Sequence, residues 1–147
     1  MLYFEDFPVG HIMTHQGPTL TEQAIIEFAR QYDPQPFHID KAAAEQSIYG
    51  GIIASGWHTM VTTMRMMCDC YLLDAASLGS PGVDEVRWRL PVRPGDTLSL
   101  KIAVVEARRS RSKPDRGVVH YEADILNQND EVVMTFKGMG MFATCDK

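Results

Sequence analysis

Apolar residues recur at helical spacing from Thr21 onward: Ala24, Ile25, Phe28, Ala29 and Tyr32 share one face. The Thr19-Leu-Thr-Glu22 stretch has the form of a capping box and predicts the start of that helix. Pro34 requires it to stop at Asp33. A first strand is expected around His11–Gly17, after a turn through Phe4–Gly10. Asp40 can cap a short helix over Lys41–Glu45, and Gly50-Gly51 marks a loop. A long second helix is predicted from about Ser55, its N-cap, to Leu73. Met60, Val61, Met64, Met67, Cys68, Tyr71 and Leu72 cover much of its circumference, so it is expected to be enclosed by other structure. The period then changes. Val83–Arg89, Thr97–Arg108, Gly117–Asn127 and Glu131–Ala143 are rich in β-branched and aromatic residues, separated by turns at Pro91, Pro94-Gly95-Asp96 and Asn127–Asp130. Strand, helix, helix and a run of strands predict an α+β fold, an antiparallel sheet with helices on one face.

Composition narrows the classes. The 147 residues suffice for a single domain, 1–147, with its own core. A net charge of −5 argues against nucleic acid or an anionic membrane as partner. Three cysteines, Cys68, Cys70 and Cys145, make no disulfide framework, and Cys68-Asp69-Cys70 lacks the spacing of a metal site. Free thiols suggest a reducing, cytoplasmic setting. No secretory leader pattern opens the chain. The apolar run Ile52–Leu73 contains His58, Arg65 and Asp69, so it reads as a buried helix and not a membrane span.

The chemistry concentrates in Tyr-Asp-Pro-Gln-Pro-Phe-His-Ile-Asp, residues 32–40. A carboxylate, Asp33, precedes an imidazole, His38, by five positions. Pro34 and Pro36 fix φ between them, so the segment is read as a stiff, non-helical tether holding an acid/base pair. Alone, an Asp before Pro is often a turn residue and a lone His often structural. At a helix C-terminus the dipole would raise the Asp33 pKa, unless a basic neighbour cancels it. Asp40 is read as a helix cap and not a third catalytic group. Met60, Met64, Met66 and Met67 are read as core filler, with an acyl-pocket lining as the lesser alternative.

Three motifs in order resemble the MaoC-like dehydratase family, which includes the (R)-specific enoyl-CoA hydratases. They are Asp33–Asp40, then Ile53-Ala-Ser-Gly-Trp-His-Thr59, then Pro91-Val-Arg-Pro-Gly-Asp96. The resemblance implies a hot-dog fold, a long central helix wrapped by a curved antiparallel sheet. It implies a hydratase or dehydratase acting reversibly on an enoyl-CoA or 3-hydroxyacyl-CoA thioester, with Asp33 and His38 activating water. The Gly56 N–H would stabilise the enolate oxygen. It implies no metal or redox cofactor, coenzyme A only as part of the substrate, and a homodimer or higher assembly of dimers.

Gln35 stands where many hydratases have Asn, and Ser55-Gly56-Trp57-His58 replaces a His-Gly-Met turn. Gln35, Ser55, Trp57 and His58 are therefore candidate substrate-binding residues. Trp57 and His58 would narrow or reshape an acyl pocket. At the first turn of the long helix, the dipole would favour a neutral His58 imidazole. Arg108, Arg109 and Arg111, with Lys113 and Arg116, form a basic loop that could meet the CoA phosphates, as could Arg87, Arg89 and Arg93. Two rival readings remain. A hot-dog thioesterase would want a carboxylate on the long helix, where only Asp69 is available, well past its start. A non-catalytic acyl-CoA binding subunit would not need the Asp33–His38 pair.

Overall fold

The computed structural model describes residues 1–145. Its elements are β1 (Ile12–Thr19), α1 (Glu22–Tyr32), α2 (Pro36–Ile39), α3 (Lys41–Gln46), α4 (Gly56–Cys70), β2 (Ser77–Gly79), β3 (Val83–Trp88), β4 (Thr97–Arg109), β5 (Arg116–Leu126) and β6 (Val132–Ala143). Single 3₁₀ turns lie at Phe4–Asp6 and Leu72–Asp74. The strands form one antiparallel sheet in the order β1-β4-β5-β6-β2, with β3 also paired to β6. This is the expected α+β hot-dog arrangement, a curved sheet around one long helix.

Period-two alternation builds the sheet's inner face. Leu98, Leu100, Ile102 and Val104 of β4 and Val119, Tyr121, Ala123 and Ile125 of β5 are buried, while Lys101, Glu122 and Asp124 point outward. Leu100 pairs with Ile125 and Ile125 with Met134, so one apolar row crosses three strands. Helix α4 lies on this face. Its buried stripe is Thr59, Thr62, Thr63, Met66 and Met67. The threonines let the helix sit close to the sheet, and Thr63 returns its hydroxyl to the Thr59 carbonyl at 2.8 Å. Gly17 of β1 is part of the same fit, because a Cβ there would overlap the Met66 side chain.

The structure corrects several expectations. Helix α4 is not enclosed all round: Val61 and Met64 stay about half exposed on its far side. It ends at Cys70, and the chain to Asp74 is a separate 3₁₀ turn. The cap of α1 is Thr21, whose Oγ1 accepts from the Ala24 N–H at 3.1 Å. Thr19 belongs instead to β1, its hydroxyl 2.6 Å from that of Thr97. The segment between Asp33 and His38 is not wholly extended. Pro36 opens the single turn α2, a position where its fixed φ is already helical and its missing N–H is not needed. Asp40 caps α3 through Ala43, as expected. No helix among the described residues is long and apolar enough to cross a membrane.

Candidate active site

Asp33 is placed by the end of α1. It is the C-cap residue, and its N–H still reaches the Ala29 carbonyl at 2.8 Å, while Pro34 forbids another turn. His38 is carried on α2 and is buried. The loop before α4 clamps it from the other side. The Ile53 N–H donates to the Phe37 carbonyl at 3.3 Å, and His38 Nδ1 lies 2.7 Å from the Ile53 carbonyl. A carbonyl oxygen only accepts, so Nδ1 carries hydrogen and Nε2 is the nitrogen left to face the carboxylate. Nε2 stands 3.2 Å from Asp33 Oδ2.

Both oxygens of Asp33 are held. Gln35 Nε2 donates to Oδ1 at 2.7 Å and Ser55 Oγ donates to Oδ2 at 2.7 Å. Burial pushes the carboxyl up, but the hydrogen bonds from Gln35 and Ser55 and the adjacent His38 outweigh it. The net direction is downward from 3.8, against the expectation from the helix end. Ionised Asp33 thus stabilises the fold fully above its ordinary value, and that contribution is lost as pH falls through the lower folded value.

Ser55 is fully buried and caps α4, accepting from the Trp57 N–H at 3.3 Å. Gly56 is the first residue of α4, where N–H groups lack intrahelical partners. Its carbonyl accepts from Trp88 Nε1 at 2.9 Å. A Cβ at Gly56 would overlap the Trp88 ring. Any larger residue here would have to displace an indole from β3. Trp57 meets Trp88 edge to face, with ring centroids 5.6 Å apart, and is 60% exposed at the rim.

These groups, apart from the buried Ser55, line a cleft of about 480 Å³. Asp33, Gln35, His38, Gly56 and Trp57 line it together with Trp88, Arg89 and Pro91. The sequence pattern does not single out Trp88. Its signal is a large aromatic at the end of a strand with few buried positions, just before the Pro91 turn. Arg89 belongs by sequence only to a general basic set, yet among the described residues it is the arginine that lines this cleft. The Ile53 carbonyl, which holds a hydrogen on His38 Nδ1, carries no sequence signal at all.

Other candidates lie elsewhere. His58 does not line the cleft. It stacks on Phe28 of α1, with ring centroids 4.6 Å apart, and its buried Nδ1 has no hydrogen-bond partner among the described residues. Burial holds its pKa below 6.5. The unfolded chain therefore binds a proton that the fold resists as pH drops below that value, and stability is lost. His58→Phe is expected to retain the stack and flatten this loss. Thermal melts of both proteins between about pH 7.5 and about pH 5, a range that spans the ordinary histidine value, check it. Parallel slopes would refute the assignment.

Arg108, Arg109 and Arg111 sit at the β4–β5 hairpin. Arg108 pairs with Glu106 at 2.9 Å and Arg109 donates to the Pro114 carbonyl at 2.7 Å; Arg111 is exposed. Val118 and Met141 mark their register, while Ile125 and Met134 mark the cleft end. Seven residues of strand separate the two ends, roughly 23 Å. Within one chain the basic cluster and the cleft are not brought together. Met60, Met64 and Met67 line a second, largely apolar pocket of about 300 Å³ with Tyr71, Tyr121, Phe136 and Met139. Met66 and Met67 are also buried in the core, as expected, and Met60 packs against it; Met64 is about half exposed.

The same arrangement of elements recurs in known proteins. A MaoC like domain model matches residues 6–125. The chain is 38% identical to a MaoC-like dehydratase from Rhodospirillum rubrum, covering 100% of both chains with a TM-score of 0.91. It shares the fold of the R-hydratase PhaJ1 from Pseudomonas aeruginosa, with TM-score 0.77 at 21% identity, covering 97% of this chain and 86% of that one. It is also 23% identical to the uncharacterized protein YdeM of Bacillus subtilis (strain 168), over 91% of this chain and 92% of that protein. A match over most of the chain, with an Asp–His pair at the mouth of the long helix, shows that the chain belongs to the MaoC-like domain family.

Proposed function

We propose that this protein is a hydratase/dehydratase of enoyl-CoA and 3-hydroxyacyl-CoA thioesters. The observation that carries the reading is the Asp33 Oδ2–His38 Nε2 approach of 3.2 Å beside the first turn of α4. With Nδ1–H committed to Ile53, a proton on Nε2 is what lets His38 hydrogen-bond to the carboxylate. The pair therefore offers one acceptor and one donor to a water held between them. Asp33 takes a proton from water as its oxygen bonds to Cβ. His38 Nε2–H delivers a proton to Cα, the electron pair of the C=C bond passes through the enolate, and the proton gained by Asp33 then passes to Nε2 across the 3.2 Å contact, restoring the pair. The Gly56 N–H at the positive end of α4 receives the developing charge on the thioester oxygen; one such donor is worth ~3 kcal/mol. Dehydration is the reverse, and the steps need no metal or redox cofactor.

The MaoC-like dehydratase and R-hydratase names of the similar structures support the reaction class. The methionine-lined pocket suits a hydrocarbon acyl part. Arg89 is the nearer candidate for a CoA phosphate. Arg108, Arg109 and Arg111 would serve one only if a second subunit brought them to a neighbouring cleft. We propose a homodimer or an assembly of dimers, working in the cytoplasm.

Incubation with crotonyl-CoA tests the reading. Loss of the enoyl absorbance without release of free thiol is the expected result. Thiol release with the chromophore intact would make the protein a thioesterase. Binding with neither change would make it a non-catalytic acyl-CoA binding subunit.

A further inference from the structure

We propose that Ser55 is not a substrate-binding group but a positioning residue, which ties the first turn of α4 to the Asp33 carboxylate and fixes Oδ2 opposite His38. Its catalytic consequence rests on the hydratase reading. The residue is fully buried, so its hydroxyl has no solvent to turn to. It has one proton, and Asp33 Oδ2 takes it at 2.7 Å. Its lone pair receives the Trp57 N–H at 3.3 Å. A continuous path results: the Trp57 N–H to Ser55 Oγ, Ser55 O–H to Asp33 Oδ2, and Oδ2 facing His38 Nε2 at 3.2 Å. Hydrogen bonds in such a chain polarise one another, and the free N–H end of a helix is its positive end.

Consequences for the pair follow from this path. With Oδ2 fixed by Ser55 and Oδ1 by Gln35, the carboxylate is held against rotation at the cleft wall. The donors also favour the ionised form, in line with the downward direction found for Asp33. The titratable and charged groups that share the cleft lining with the carboxylate are His38 from α2, Tyr49 from the loop after α3, and Arg89 just past β3. Of these, His38 is the one in direct contact.

The experiment compares wild type with Ser55→Ala and Ser55→Gly. Glycine is nearly as good an N-cap as serine, so it removes the donor without unpinning α4. The Asp33 carboxyl is titrated by carbon NMR in protein labelled at the aspartate carboxyl carbon, with Asp33→Asn assigning the signal. In both variants we expect its titration to move to higher pH. The acid limb of the kcat/KM profile should move the same way, with a plateau lowered about tenfold, the weight of one hydrogen bond to a charged group. An unmoved carboxyl titration in folded Ser55→Gly overturns the proposal, as does a lowered plateau with an unmoved acid limb. The NMR arm needs no turnover. If Asp33→Asn kept full hydratase activity, the hydratase reading would fall while the Ser55–Asp33 coupling was still decided.

Discussion

Asp33→Asn is expected to lower kcat/KM for crotonyl-CoA hydration by at least ~100-fold, and His38→Ala by as much, because each removes one half of a general acid/base pair. The amide introduced by Asp33→Asn cannot take the proton from water. It also cannot accept on both sides at once, so either the Gln35 or the Ser55 donor loses its partner. His38→Ala removes the proton donor and strands the Ile53 carbonyl, a buried acceptor, which costs ~1–3 kcal/mol of stability. Melting curves must therefore accompany the kinetics. Groups that act as a unit are not additive, so the double variant should lose little more than the worse single one. Losses below threefold in both folded single variants would remove the catalytic assignment.

Gly56→Ala carries the second large effect. In an exposed helix start, alanine would be the better helix former by ~0.5–1 kcal/mol. Here its Cβ would overlap the Trp88 indole, which must swing away and give up its 2.9 Å bond to the Gly56 carbonyl. Trp88 is half exposed and can move, so the expected loss of stability is modest, about 1–2 kcal/mol. Trp88 lines the same cleft as Asp33, His38 and Gly56, so a displaced ring is expected to crowd the approach to the Gly56 N–H. Loss of that donor's approach to the thioester predicts a fall in kcat of about 100-fold. A double-mutant cycle isolates the cause. In a Trp88→Ala background the same substitution should cost less than about tenfold. An equal penalty in both backgrounds would show that the indole is not responsible.

Much of this site was legible because proline and small-residue chemistry is local. Pro34 ends α1 at Asp33 wherever that helix packs, and Ser55 before Gly56 caps α4 for reasons contained in the turn itself. The strands β4 to β6 were legible within two residues from their alternation. What failed depended on distant partners. Thr19 completes a capping-box pattern with Glu22, and only its pairing with Thr97 claims it for the sheet. The direction of the Asp33 shift was not legible because the helix end is local, whereas the Ser55 donor arrives from 22 residues away. β2 is three residues long and exists through its pairing with β6. The arginines at 108–111 are close in sequence to one another, which says nothing of their distance from the cleft.

The edge position of β1 also sets an order of assembly. Ile12 pairs with Ala103, so the first strand waits for a partner made some ninety residues later. Asp33, His38 and Ser55 span a short stretch and can meet early, whereas the Trp88–Arg89 wall depends on β6. Closing long loops before their contacts repay the entropy makes such chains slow, in the range of milliseconds to seconds. During synthesis the acid/base residues of the cleft emerge first, and its Trp88–Arg89 lining can form only once nearly the whole chain has been made.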